Sequence, residues 1–177
     1  MNKSRRYWIR FSLLLLMVGL IGFALYQVIK AGESDKPEVG EWAPNFQLPT
    51  LTGKPMSLQQ LKGKAVVLNF WGSWCEPCRT EMPALTEIYR RYRAKGIVVI
   101  GINIAETDVT ATQFVKQYKL DFPIWMDRDR EVVDLYRIGP IPSTYFIDPT
   151  GKIAYVKEGP LALNELEKII LSIMPKS

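Results

Sequence analysis

The chain has 177 residues, 47% of them hydrophobic, which is enough for one ordinary globular core and too little for two. A net charge of +5 would fit a nucleic-acid-binding protein, but Met1–Lys30 holds five of the 23 basic side chains (Lys3, Arg5, Arg6, Arg10 and Lys30) and no acid. The rest therefore carries 18 bases and 18 acids, and this neutral balance removes the electrostatic case for phosphate binding.

In chain order, the basic cluster is followed by "FSLLLLMVGLIGFALYQVI", Phe11 to Ile29, an uncharged run of 19 residues. As a helix rising about 1.5 Å per residue it spans roughly the 30 Å hydrocarbon core of a bilayer. A cleaved signal peptide would have a shorter apolar region ending in a small-x-small site, whereas "YQVIKAGES" places Ile29 and Ala31 around Lys30. The reading is an uncleaved anchor at residues 11–29. Four basic residues precede it and only Lys30 follows closely, so residues 1–10 are expected in the cytoplasm and everything after the anchor outside. Residues 30–40, polar with Gly and Pro, read as a linker to a domain at 41–177.

Within that domain "KAVVLNFWG" predicts a buried strand over Ala65–Phe70. A helix follows from Cys75 to about Ala94, stopped by Gly96, and "IVVIGINI" predicts a second buried strand. Next come a helix near Val109–Tyr118, a short "FPIW" strand and a helix near Glu131–Tyr136. "STYFID" and "KIAYVKEG" flank the turn "DPTG", a hairpin signal, and a helix over Leu163–Ile173 closes the chain. Alternating β and α elements followed by a hairpin imply an α/β fold: a mixed central sheet with helices on both faces.

The only two cysteines lie in "FWGSWCEPCRTEMP", Phe70 to Pro83. A zinc or iron site needs about four Cys or His ligands, and the chain has two cysteines and no histidine, so no metal site is expected. A structural staple is a weak alternative, because closing so small a loop removes little unfolded-state entropy. A redox pair remains, and position supports it. Cys75 falls where a helix begins, so the helix dipole and free N–H groups favour its thiolate. It is expected to be the exposed, attacking thiol, with Cys78 more buried and resolving.

"WCEPC" with Pro83 beyond it, and "IPST" with Pro142 ahead of a strand and hairpin, resemble thioredoxin-like proteins across roughly Glu41 to Pro175. The long segment between Cys78 and Pro142, with an extra strand and helix, resembles the membrane-linked branch typified by ResA and TlpA. Trp71, Trp74, the CEPC tetrad and the anchor are most similar to ResA-type cytochrome c maturation reductases. The resemblance implies a thioredoxin-like fold with an extra βα insertion. It also implies a cis bond between Ile141 and Pro142 facing the dithiol, beside a groove where substrate backbone pairs. Pro83 is expected only to kink its helix.

A helical wheel puts Cys78, Met82, Leu85, Ile88, Tyr89 and Tyr92 on one apolar face, with Glu81 inside it. A half-buried carboxylate there would have a raised pKa and could exchange protons with Cys78, and the resemblance also points to a glutamate at this place. The alternative is an early-helix acid favoured by the dipole. Glu106 follows a buried strand, where open α/β sheets place their sites; it either borders the substrate groove or only introduces a helix capped by Thr107 or Asp108. Trp74, beside Cys75, is the better candidate than Trp71 for touching a partner. Between the cysteines stand Glu76 and Pro77. A carboxylate there opposes thiolate formation and favours the disulfide form, which predicts a reductant; Arg79 acts in the opposite sense.

The resulting expectation is a membrane-anchored, extracytoplasmic thiol-disulfide oxidoreductase working as a reductant, with no bound cofactor beyond its redox-active disulfide. The resemblance implies that it reduces the haem-binding motif of oxidised apocytochrome c, and that a CcdA-type membrane thiol donor recharges it. Rivals are a related reductase for spore or other envelope proteins, and a redox-inert factor that docks apocytochromes. A peroxidase of the peroxiredoxin type shares the fold, but its attacking cysteine is not normally part of a helix-start CxxC.

Overall fold

The computed structural model describes residues 3–32 and 36–174; part of the expected linker, 33–35, and the chain ends fall outside the described residues. It divides into two compact units, 1–35 and 36–177. In the first, α1 (Lys3–Gly32) contains a stretch, Trp8–Gln27, of 20 residues with mean hydropathy 2.1 and none of it buried, long and apolar enough to cross a membrane. A helix apolar all round and uncovered by protein needs an apolar medium. Compared with the sequence reading, this stretch begins three residues earlier and takes in Trp8.

In the second unit five strands form a sheet: β3 (Ala65–Trp71), β4 (Ile97–Ile104), β5 (Ile124–Asp127), β6 (Ser143–Ile147) and β7 (Ile153–Glu158). Their spatial order is β5-β4-β3-β6-β7. The parallel pairs are β3 with β4 and β4 with β5, whereas β6 runs antiparallel to both β3 and β7. This is a thioredoxin-like fold. β3 is central because all seven of its residues are buried, so both of its faces need cover.

One face of the sheet, with Val67, Trp71 and Val99, packs against α2 (Glu76–Tyr92), α3 (Asp108–Tyr118) and α5 (Leu163–Ile173) through Met82, Leu85, Phe114, Leu166 and Ile170. The other, with Val66, Leu68 and Phe70, is covered by Phe46, Leu48 and Leu58 and by Val132 and Val133 of α4 (Glu131–Leu135). Helices thus lie on both faces. The insertion supplies α3 and β5, and β5 takes the edge of the sheet beside β4.

Sequence reasoning missed a two-stranded hairpin, β1 (Gln47–Pro49) with β2 (Pro55–Ser57). Each strand has three residues and a proline, too short for period-two alternation to register. The expected linker is also bonded to the domain before residue 41. Gly40 N–H donates to the Ile153 carbonyl at 2.8 Å, Ile153 N–H donates back to Glu41, and Lys36 pairs with Glu158. The "DPTG" hairpin forms as expected: Asp148 Oδ1 accepts from the N–H groups of Thr150, Gly151 and Lys152, and Gly151 takes φ +102°.

α2 ends at Tyr92 rather than Ala94, giving way to a 3₁₀ turn at Arg93–Lys95 before Gly96 at φ +86°. It continues through Pro83, whose missing N–H is the one that would have reached the Arg79 carbonyl.

Trp71, fully buried, lies on Phe114 with ring centroids 4.6 Å apart and crosses to β4 at Gly101. A Cβ on Gly101 would meet Trp71 Nε1 at 2.7 Å and Ile124 Cδ1 at 2.8 Å. Gly101→Ala is therefore expected to cost about 1–3 kcal/mol, read as a lower urea midpoint with unchanged m.

Candidate active site

β3 delivers the chain to the site and Gly72 turns it. A Cβ on Gly72 would stand 2.7 Å from the Trp74 ring, so glycine is what lets the indole fold back over the turn. Trp74 is nevertheless 64% exposed, a large apolar side chain next to Cys75 in the chain that meets solvent. Cys75 then caps α2: its backbone is extended (φ −90°, ψ 107°) and its Sγ accepts from Cys78 N–H at 3.2 Å. Pro77, in the first turn, gives up an N–H that would have had no helical partner.

Cys75 and Cys78 are joined as a disulfide. Cys78 has no exposure and Cys75 only 5%, so the order of burial is as expected but Cys75 is not the open thiol that was expected. The cause is the loop opposite, where the Ile141 carbonyl lies 3.7 Å from Cys75 Sγ. Ile141–Pro142 is a cis peptide bond, and the Pro142 carbonyl accepts from Gly159 N–H at 2.8 Å. The resemblance thus placed this loop against the dithiol, and the structure has it there.

Glu76 is exposed and pairs with Arg79, Nη1 to Oε2 at 2.9 Å, while Arg79 Nε donates to the Ser73 carbonyl at 2.9 Å. The two opposing charges beside the dithiol are therefore partners, not independent fields. Glu106 reaches back to the loop before Cys75. Its Oε2 accepts from Ser73 N–H at 2.8 Å and Asn103 Nδ2 at 2.6 Å, and its Oε1 from Ser73 Oγ. Ala105, at φ +52°, makes the turn that aims it there. The helix-introducing part belongs to Thr107, whose side chain accepts from Thr110 N–H at 3.2 Å.

Glu81 lies one turn after Cys78 and is 1% exposed, more deeply buried than the half-burial read from the wheel. Oε1 accepts from Asn69 Nδ2 at 2.7 Å and Oε2 from Leu161 N–H at 3.1 Å. Burial pushes its pKa up from 4.5 to about 7, against the lowering effect of those two donors. The group can therefore hold or release a proton near neutrality, next in sequence along the helix face from the resolving cysteine.

Asn69, Thr144, Ser73 and the Leu161 N–H escaped the sequence reading. Asn69 did carry a signal, as the one polar residue of an otherwise apolar strand. The others gain meaning only from distant partners. Among the described residues no group of three or more His, Cys, Asp or Glu side chains could hold a metal ion.

A family model described as AhpC/TSA matches residues 39–156. The thiol-disulfide oxidoreductase ResA of Bacillus cereus (strain ZK / E33L) is 40% identical over 173 residues, 98% of this chain and 99% of that protein. ResA of Bacillus subtilis (strain 168) is 37% identical over 175 residues, 99% of this chain and 97% of the relative. Among solved structures, a thiol:disulfide interchange protein DsbE from Chlorobium tepidum superposes with TM-score 0.73 and 32% identity, covering 77% of this chain and 98% of that one. StoA from Bacillus subtilis gives TM-score 0.63 and 29% identity over 71% and 95%.

Proposed function

The chain belongs to the AhpC/TSA family, among its ResA-type thiol-disulfide oxidoreductases, and from that premise we propose that it reduces the disulfide of apocytochrome c haem-binding CxxCH motifs before haem attachment, as a single-pass protein with its N-terminus in the cytoplasm and its domain outside. The observation that carries the chemistry is Cys75 Sγ, which caps α2 and receives the Cys78 N–H at 3.2 Å. A thiolate at that position is stabilised by the backbone donor and the helix dipole.

In the reduced protein the Cys75 thiolate attacks one client sulfur, forming a mixed disulfide and expelling the other client sulfur as a thiolate. Cys78 then loses its proton to the Glu81 carboxylate and attacks Cys75 Sγ. The Cys75–Cys78 disulfide forms, the second client thiolate leaves, and two electrons have passed to the client. Trp74, Ile141, Pro142 and the loop held by Glu106 form the surface a client chain meets. The dithiol carries both electrons, so no cofactor takes part, and a CcdA-type membrane thiol donor returns the protein to the dithiol state. The likeness to StoA supports a second reading, in which other disulfide-bearing envelope proteins are the clients.

The test is capture. A Cys78→Ser protein in membranes, given an oxidised CxxCH peptide of an apocytochrome, is expected to yield one adduct, through Cys75. Adducts with other envelope proteins and none with CxxCH peptides would overturn the cytochrome assignment and favour the second reading. Direction is tested by equilibration against a dithiothreitol series. A potential of about −270 mV or lower is expected, and one near the −120 mV of a strong oxidant would end the reductase assignment.

A further inference from the structure

We propose, resting on the exchange reaction described above, that Asn69 and Thr144 are positioning residues for it: together they hold the Glu81 carboxyl one helical turn from Cys78 and keep it able to ionise. Asn69 is the single polar residue of β3 and is wholly buried. Its Nδ2 has two hydrogens and both are committed, one to Glu81 Oε1 at 2.7 Å and one to Thr144 Oγ1 at 3.0 Å. Thr144, also wholly buried, is the residue of β6 paired directly with Asn69 across the sheet. Strand register therefore fixes the amide, and the amide fixes the carboxylate.

The remaining valence of the amide argues for this purpose. Asn69 Oδ1 is buried without a hydrogen-bond partner, a costly arrangement that natural interiors avoid. Flipping the amide would turn that oxygen onto the Glu81 carboxylate, acceptor against acceptor. The observed orientation leaves one acceptor unpaired in order to present a donor to Glu81.

No charged group shares the task. The influences on Glu81 are burial, which raises its pKa, and then the Asn69 amide and the Leu161 N–H, which lower it. The titratable neighbours on α2 are Cys75 and Cys78; β3 and β6 present the neutral Asn69, Ser143 and Thr144; the 159–161 loop presents a backbone N–H; and the buried face of α5 is apolar Leu166 and Ile170. Without the Asn69 donor, only the Leu161 N–H opposes the effect of burial. The carboxyl then stays protonated to higher pH and cannot take the proton of Cys78 at neutrality.

The experiment compares the full-length reduced protein with Asn69→Ala and the near-isosteric Thr144→Val, each alone and combined with Glu81→Gln. Two readouts are followed across pH: single-turnover reaction with oxidised glutathione, and the infrared C=O band of the protonated Glu81 carboxyl. Asn69→Ala is expected to move both midpoints upward by about one pH unit, with Thr144→Val moving them less in the same direction. In the Glu81→Gln background neither substitution is expected to move the rate profile, because the route through Glu81 is gone. Profiles that superimpose on wild type, or shifts that persist without Glu81, would overturn the proposal. If Asn69→Ala does not fold, Thr144→Val alone decides. A wild-type protein that exchanges with no disulfide would sink the oxidoreductase reading instead, while the infrared titration still reports on Asn69.

Discussion

Cys75→Ser will lose disulfide exchange by roughly 10³-fold or more, while Cys78→Ser will lose turnover yet still react once and stop as a mixed disulfide. The asymmetry follows from geometry. Both cysteines are nearly buried, but Cys75 keeps some exposure, follows the exposed Trp74 in the chain and receives the Cys78 N–H on its Sγ, whereas Cys78 has no exposure at all. Only the first can meet a client sulfur, and only the second is placed to displace it. Serine at position 75 keeps the size of the cap and removes the nucleophile, so the fold is expected to survive. Mass spectrometry of the captured adduct checks the assignment. Adducts on Cys75→Ser and none on Cys78→Ser would reverse the two roles.

The second large effect is expected at Glu81. The pKa of this carboxyl is raised from 4.5 to about 7, chiefly by burial, so the folded protein holds a proton that the unfolded chain has released. Below pH 4.5 both states are protonated and Glu81 costs nothing; between 4.5 and about 7 stability falls as pH rises; above that the full cost is present. The gap corresponds to about 3 kcal/mol for so deeply buried a group. Glu81→Gln removes this dependence, and the oxidised variant is expected to be more stable than wild type at pH 8 by up to that amount. A glutamine can accept from Leu161 N–H and donate to Asn69 Oδ1 once that amide turns over, so the side chain is held without a buried charge. The same variant is expected to exchange about 10²-fold more slowly at neutral pH, having lost its proton acceptor. Urea titrations from pH 5 to 8 alongside turnover measure both. A variant that is neither more stable nor slower would reduce Glu81 to an early-helix acid.

Much of the fold is legible in the amino-acid sequence, because some signals are local. β4 and α5 lie at the residues that the sequence marks, Ile97–Ile104 and Leu163–Ile173, since a short apolar run rich in β-branched residues after Gly96 favours a strand and a 3.6-residue apolar stripe favours a helix. The apolar run near the N-terminus and the redox pair are likewise written in adjacent residues. The Glu81 misfit is visible on the helical wheel, although its depth of burial is not. The β1–β2 hairpin is invisible because strands of three residues carry no period.

What only the tertiary structure decided is which distant groups meet. Glu81 takes its donors from Asn69, 12 residues before it, and from Leu161, 80 residues after it, and Asn69 is in turn held by Thr144, 75 residues on. Glu106 reaches Ser73 across 33 residues. The small remaining exposure of Cys75 is set by the Ile141 carbonyl, 66 residues away. Each contact depends on the register of β3 against β4 and β6, and side-chain periodicity leaves that register open, because sliding a strand by two residues keeps the same apolar face. Sequence by itself determined that there are two thiols at a helix start and an acid among apolar residues beside them. The pairing of the sheet decided that the acid is buried between two donors, with its proton poised near neutral pH.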